Sequence, residues 1–206
     1  RRARVEFTGP GLPAGYHTLR EPGAPDWLRF DRTPGSLSLR GRDSLASNFD
    51  QSLVARRLEH LHARATTRLR FAPRNFKQAA GLIAYYDRLH YHYFRVTGAG
   101  PGRAKLGVYT SAFDKLSRHE VAEFSLEETA AGLDLHIEMK GTELRFAWRT
   151  PDGPWQQVER VFESTQVGDW AAPGGGFTGT FWGVCCQDLA ERSAWADFAF
   201  FDYRPI

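Results

Sequence analysis

LDLHIEMKGTELRFAW, residues 133–148, decides the fold class. Leu133, Leu135, Ile137 and Met139 fall on every second position, and so do Leu144, Phe146 and Trp148 after Gly141. A period of two puts each set on one face of an extended chain, and a glycine between two such runs marks a turn. The stretch 133–149 therefore reads as a β-hairpin with one apolar face.

The same pattern extends outward in both directions. In SLSLRGR (36–42), Leu37 and Leu39 share a face opposite Ser36, Ser38 and Arg40. Downstream, the turn PDGP (151–154) leads to Trp155, Val158, Val161 and Phe162, and FTGTFWGVCCQ and WADFAFFDY are two further aromatic-rich strand candidates. Turn signals recur at GPGLPAG (9–15), EPGAPD (21–26), TPGS (33–36), GAGPG (98–102) and APGGG (172–176). Short strands punctuated this way indicate an all-β sandwich or barrel. No internal repeat or linker interrupts the chain, so residues 1–206 are expected to form one domain.

One segment conflicts with that reading. In SLVARRLEHLHARATTRLRF, the residues Leu53, Arg57, Leu58, Leu61 and Ala65 follow helical spacing, and the spacing predicts a helix over 52–65. ATTRLRF, which follows directly, reads as strand through Thr66, Thr67, Leu69 and Phe71.

Composition narrows the function classes. The 206 residues carry 27 basic and 24 acidic side chains, a net charge of +3. All but four of the basic residues are Arg, and they are scattered, which is no nucleic-acid footprint. No apolar run approaches the ~20 residues of a membrane span. RRARVEFTG at the start has charges but no apolar stretch behind it, so a cytoplasmic location is expected over a secreted one. Cys185 and Cys186 are neighbours, and alternation points them to opposite faces. They are expected to be unbridged, one in the core and one nearer the surface.

The densest aromatic cluster is GLIAYYDRLHYHYFRV (81–96). Tyr85 and Tyr86 end one strand, Asp87–His90 form a turn, and the next strand sets Tyr91 and Tyr93 on one face, His92 and Phe94 on the other. Exposed aromatic rings beside Asp, Arg and His suit sugar recognition, because the C–H face of a pyranose stacks on a ring while polar groups read its hydroxyls. The alternative is that these rings are sandwich core. The pairs His60/His62 and His90/His92 share a face on a strand, but no third ligand is identifiable for a metal. GAGPGR (98–103) lacks the ending of a phosphate loop and reads as a hairpin connection. Nucleophile elbows, HExxH helices and CxxC pairs are absent from the sequence, and nothing singles out two carboxylates for glycosidase chemistry; Glu127-Glu128 is an ordinary acid pair.

Five phrases in order carry a family resemblance: WLRFDRTPGSLSLRGRDSL (27–45), FDQSLVARRLEH (49–60), NFKQAAGLIAYYD (75–87), FTGTFWGVCCQDL (177–189) and ADFAFFDY (196–203). From about residue 5 to the end, the chain resembles the C-terminal concanavalin A-like domain of the β-xylosidases of glycoside hydrolase family 43. That domain is also classed as a xylan-binding carbohydrate-binding module. The resemblance implies a jelly-roll sandwich of two antiparallel sheets, and it makes SLVARRLEH a strand against its helical spacing. It further implies a non-catalytic accessory module of a β-xylosidase or α-arabinofuranosidase, inactive alone. The partners so implied are an N-terminal five-bladed propeller bearing the catalytic acids and xylan or xylo-oligosaccharides, with no nucleic acid or membrane and with a homo-oligomer as a further expectation.

On this resemblance Phe177 is the loop aromatic that reaches the rim of the partner's sugar pocket. The substrate-facing set is then Phe177 with Tyr85, Tyr86, Tyr91, Tyr93 and His92. No cofactor is required. A structural calcium between the first and last strands is a further expectation, with Glu6 and Asp197 as its ligands. Two other classes stay open at this point: a free-standing lectin-like carbohydrate-binding protein, and a purely structural oligomerisation domain.

Overall fold

The computed structural model describes residues 3–22, 25–113, 115–172 and 176–206. Strands β1 (Ala3–Glu6), β2 (Tyr16–Thr18), β3 (Leu28–Arg29), β4 (Leu37–Arg40) and β5 (Ser52–Arg57) come first. The long strands β6 (His62–Arg70), β7 (Gln78–Asp87), β8 (His90–Gly98), β9 (Arg103–Ala112) and β10 (Lys115–Ser125) follow. A short helix, α1 (Leu126–Ala131), precedes β11 (Leu133–Lys140) and β12 (Glu143–Arg149). The two-residue strands β13 (Gln156–Gln157) and β14 (Phe162–Glu163) lead to β15 (Phe181–Asp188) and β16 (Trp195–Pro205).

These strands form two sheets. One runs β13-β12-β11-β6-β16-β4-β3, with β1 on β16 and β14 on β12; the other runs β10-β9-β8-β7-β15-β5-β2. The ladders within both are antiparallel. Consecutive strands β5, β6 and β7 alternate between the sheets, as a jelly-roll sandwich requires and a simple meander does not.

Inward-facing apolar positions of both sheets make the core. Phe94 of β8 meets Phe146 of β12 with ring centroids 5.2 Å apart, and Trp182 of β15 meets Tyr203 of β16 at 6.1 Å. Fully burying each such side chain contributes about 1.5–3 kcal/mol. The 133–149 hairpin forms as its alternation dictates, with Leu133, Leu135, Ile137, Met139, Leu144 and Phe146 buried and Gly141 at φ 60° in the turn. GAGPGR is the β8–β9 connection, with Gly100 and Gly102 at positive φ.

The helix over 52–65 does not form. Residues 52–57 are β5, paired with β15 through Val54↔Val184 and with β2 through Thr18↔Val54, and His62 begins β6. Pairing on both edges and burial on both faces outweigh the helical propensity of this segment. Leu61, which helical spacing puts on an apolar stripe, lies in the turn at 76% exposure. The one α-helix among the described residues is instead α1, where Ser125 and Glu128 close a capping box, so Glu127-Glu128 sits on a helix first turn. Cys186 faces the inter-sheet core and Cys185 the outer face of its sheet, but both are buried, so neither thiol is near the surface. Gly23 and Ala24 of the EPGAPD turn lie outside the described residues, as do Pro173, Gly174 and Gly175 of APGGG.

Candidate functional site

The seven-stranded sheet carries a second apolar cluster on its outer face. Leu53 and Ala55 of β5, Ile83 and Tyr85 of β7, Tyr91 and Tyr93 of β8 and Cys185 of β15 compose it with Leu45 and Ala79. Where β5 and β7 end and β15 begins, this face opens into a groove of about 480 Å³. Tyr85, Tyr86, Phe181 and Leu53 line it with Phe177, and Arg57 and His17 give it a polar margin.

Alternation alone would send Tyr85 and Tyr86 to opposite faces. The β7–β8 ladder has a bulge there: Tyr85 pairs with Tyr91 and Asp87 with His90, leaving Tyr86 as the extra residue. Tyr85 packs in the outer cluster and Tyr86 in the inter-sheet core, and at this strand end both tyrosines reach the groove. Burial pushes the Tyr85 phenol up to about 12, so it stays a neutral hydroxyl at all ordinary pH.

Phe177 stands on the segment between β14 and β15. Its ring is 98% exposed, and Trp170 on the same segment is 95% exposed. FTGT is therefore a loop, and the strand expected to start at Phe177 starts at Phe181. The segment is tied down on either side of the ring. Gly176 N–H donates to the Asp169 carbonyl at 3.2 Å, and Gly179 N–H to Asp169 Oδ1 at 3.2 Å. Thr180 Oγ1 donates to the Val167 carbonyl at 2.6 Å, while Leu58 N–H binds the Thr180 carbonyl at 2.9 Å. The Arg57 guanidinium lies 5.0 Å from the Phe181 ring centre. Phe177 is thus an apolar ring held out into solvent from a fastened base.

The structure brings Phe177, Tyr85 and Tyr86 together and leaves the other expected residues apart. Tyr91 and Tyr93 lie on the same sheet face but are buried in the outer cluster, where the Tyr93 hydroxyl donates to the Cys185 carbonyl at 2.9 Å. His92 points the other way, into the sandwich against Phe146 and Phe162. Its Nε2–H donates to the Glu163 carbonyl at 3.2 Å and its Nδ1 accepts from Thr110 Oγ1 at 2.8 Å. Burial lowers its pKa to about 4. Phe181, Leu53 and Arg57 were not singled out by the sequence. The signal that marks them is register, since Phe181 pairs with both Arg57 and Tyr85.

Glu6 and Asp197 have separate partners. Glu6 pairs with Arg4 two residues away, while Asp197 accepts hydrogen bonds from Ser38 Oγ at 2.5 Å and Thr33 Oγ1 at 2.9 Å. Among the described residues no group of three His, Cys, Asp or Glu side chains is placed to hold a metal. His60 binds the Tyr203 hydroxyl through Nδ1 at 3.0 Å, and His90 binds Asp87 at 2.8 Å. No Asp or Glu lines the groove among the described residues, so the groove has none of the paired carboxyl groups of a glycosidase. It can bind an apolar surface or the face of a ring.

Comparison with known proteins agrees with this architecture. The family model described as the beta-xylosidase C-terminal concanavalin A-like domain matches residues 4–204. A putative beta-xylosidase of Escherichia coli (strain K12) is 33% identical across 98% of this chain, which spans 38% of that protein. A xylan 1,3-beta-xylosidase of a Vibrio species is 31% identical across 98% of this chain, which spans 37% of it. Among solved structures, the crystal structure of a xylan beta-1,4-xylosidase from Bacillus halodurans C-125 superposes with a TM-score of 0.91 at 30% identity. It matches 98% of this chain and 38% of its own. The chain thus spans well under half the length of these relatives. Sandwich, strand order and family match converge on one assignment: this chain belongs to the family of beta-xylosidase C-terminal concanavalin A-like domains.

Proposed function

We propose that the chain is a non-catalytic accessory domain of a glycoside hydrolase acting on xylan-derived oligosaccharides, and that Phe177 forms part of the rim of the catalytic domain's sugar pocket. The observation that carries this reading is the near-complete exposure of Phe177 on a loop whose base is fastened by Asp169, Val167 and Leu58. Exposing a phenyl ring costs solvation that a partner surface recovers, and a ring on a braced loop loses little entropy on docking. The catalytic partner would be the propeller of a family 43 enzyme, supplying the carboxylates that the groove lacks. An apolar ring at the rim of a small pocket excludes water and restricts entry to a chain end.

A self-sufficient lectin-like site has less support. Tyr85, Tyr86, Tyr91 and Tyr93 are all buried, and the exposed aromatic surface at the groove reduces to Phe177. The deciding experiment is steady-state kinetics of Phe177→Ala in the full-length enzyme with xylobiose. The expected loss is about tenfold in kcat/KM, the equivalent of about 1.4 kcal/mol of transition-state stabilisation. Kinetics indistinguishable from the unmodified enzyme would overturn the rim assignment.

A further inference from the structure

The outer face of the other sheet carries a trench that the reading above does not use. Six directly opposed residues cross it in one row: Arg4 of β1, Asp202 of β16, Thr66 of β6, His136 of β11, Ala147 of β12 and Gln157 of β13. Five interstrand steps of about 4.8 Å make the row about 24 Å long. Its middle is shallow-sided, because Thr66 and Ala147 are short. Long side chains flank it, with Arg64 and Arg204 on one side and Arg149 and Trp155 on the other. The enclosed volume is about 430 Å³.

Arginine dominates the lining of the trench. Four arginines line it against the single carboxylate of Asp202. Arg204 pairs with Asp202, Arg149 with Asp134 at 2.9 Å and Arg4 with Glu6, whereas Arg64 has no ion pair among the described residues. Arg64 is flanked across strands by Arg204 on one side and Glu138 on the other. Like charges facing one another across strands are unfavourable unless an anion lies between them, and a guanidinium fork matches a planar carboxylate. The trench also has a braced aromatic wall. Trp155 is 38% exposed, with the His136 ring 5.4 Å away and the Arg149 guanidinium 4.7 Å from its centre. His136 is itself fixed by Thr66 Oγ1 at 2.8 Å.

A trench with a ring for a pyranose face and paired guanidinia for a carboxylate selects one ligand chemistry. We propose that it binds an extended acidic oligosaccharide, with a uronate carboxylate between Arg64 and Arg204 and a neighbouring sugar against Trp155. The site lies on the opposite sheet from Phe177, so it stands or falls independently of the rim assignment.

Titration calorimetry of the chain with a glucuronic-acid-branched xylo-oligosaccharide, and with the unbranched oligosaccharide of equal length, tests it. The branched ligand is expected to bind at least about tenfold tighter. Arg64→Ala with Arg204→Ala should abolish that advantage, and the single variant Arg64→Glu should reduce it if the double variant does not fold. Trp155→Ala should weaken both ligands. Equal affinity for the two sugars, or an advantage that survives removal of both arginines, would overturn the proposal. So would displacement by sulfate at concentrations equal to the sugar's, which would make this a general anion site, or tighter binding of a polyglutamate peptide, which would make it a protein-docking surface.

Discussion

The hydroxyl of Tyr86 lies against the backbone of Gly176, so close that a β-carbon on Gly176 would stand 1.3 Å from it. Gly176 immediately precedes Phe177, and Tyr86 is the bulged residue of β7. The contact therefore ties the base of the exposed ring to the sheet edge, and it exists only because one partner has no side chain.

Gly176→Ala should lower stability by about 1–3 kcal/mol through overpacking, read as a shift of the urea midpoint. The clash reaches beyond the hydroxyl, since Tyr86 Cζ would lie 2.5 Å from the new β-carbon. Tyr86→Phe should therefore relieve only part of it, and Tyr86→Ala in the same background should remove the coupling. Additive effects of Gly176→Ala and Tyr86→Ala would show that the two residues do not meet in solution.

How much of this site was legible beforehand depends on the range of the interaction. The hairpin at 133–149 was readable because alternation is local and one face is fully buried. Residues 52–57 were not, because what holds them extended is β15, about 130 positions further on. Tyr85, Tyr86 and Phe177 were legible as aromatic residues next to turns. The bulge at Tyr86 and the groove that both tyrosines line were not, since periodicity assumes an uninterrupted ladder and the groove forms only where β5, β7 and β15 meet. His92 shows the converse: alternation placed it opposite Tyr91 and Tyr93, but which face was interior depended on the other sheet.

Phe177→Ala and Trp182→Ala should separate function from stability. Phe177 is almost fully exposed and Trp182 is fully buried between the sheets. The first substitution should change the unfolding free energy by less than about 0.5 kcal/mol, and the second should cost about 3–5 kcal/mol. Thermal melts of both variants check this. A large loss from Phe177→Ala would mean the ring packs on the chain itself rather than on a partner.

Cys185 and Cys186 should be silent in the native protein. Both thiols are buried, and burial pushes Cys185 up to about 12 and raises Cys186 well above the usual thiol range. Thiolate is the reactive form, so neither should react with a thiol-specific disulfide reagent at pH 8 until denaturant is added, when both should. Rapid labelling of one thiol under native conditions would contradict the packing of β15.

Mild acid should weaken the fold through two histidines. His92, inside the sandwich, and His136, in the trench, are each lowered to about 4, chiefly by burial. An unfolded histidine titrates near 6.5, so between pH 6.5 and 4 the unfolded chain binds more protons than the native one. Stability conferred by the neutral rings is complete above pH 6.5 and is lost progressively as pH falls towards 4. Urea midpoints measured from pH 7.5 to 4.5 should decline across that window. His136→Gln should flatten the decline by about half, because His92 remains and His136 sits on the outer face, where glutamine is tolerated. A pH-independent midpoint between 7 and 5 would mean that both rings protonate freely in the native state, and that the Glu163 carbonyl and Thr110 do not hold His92 as the structure has them.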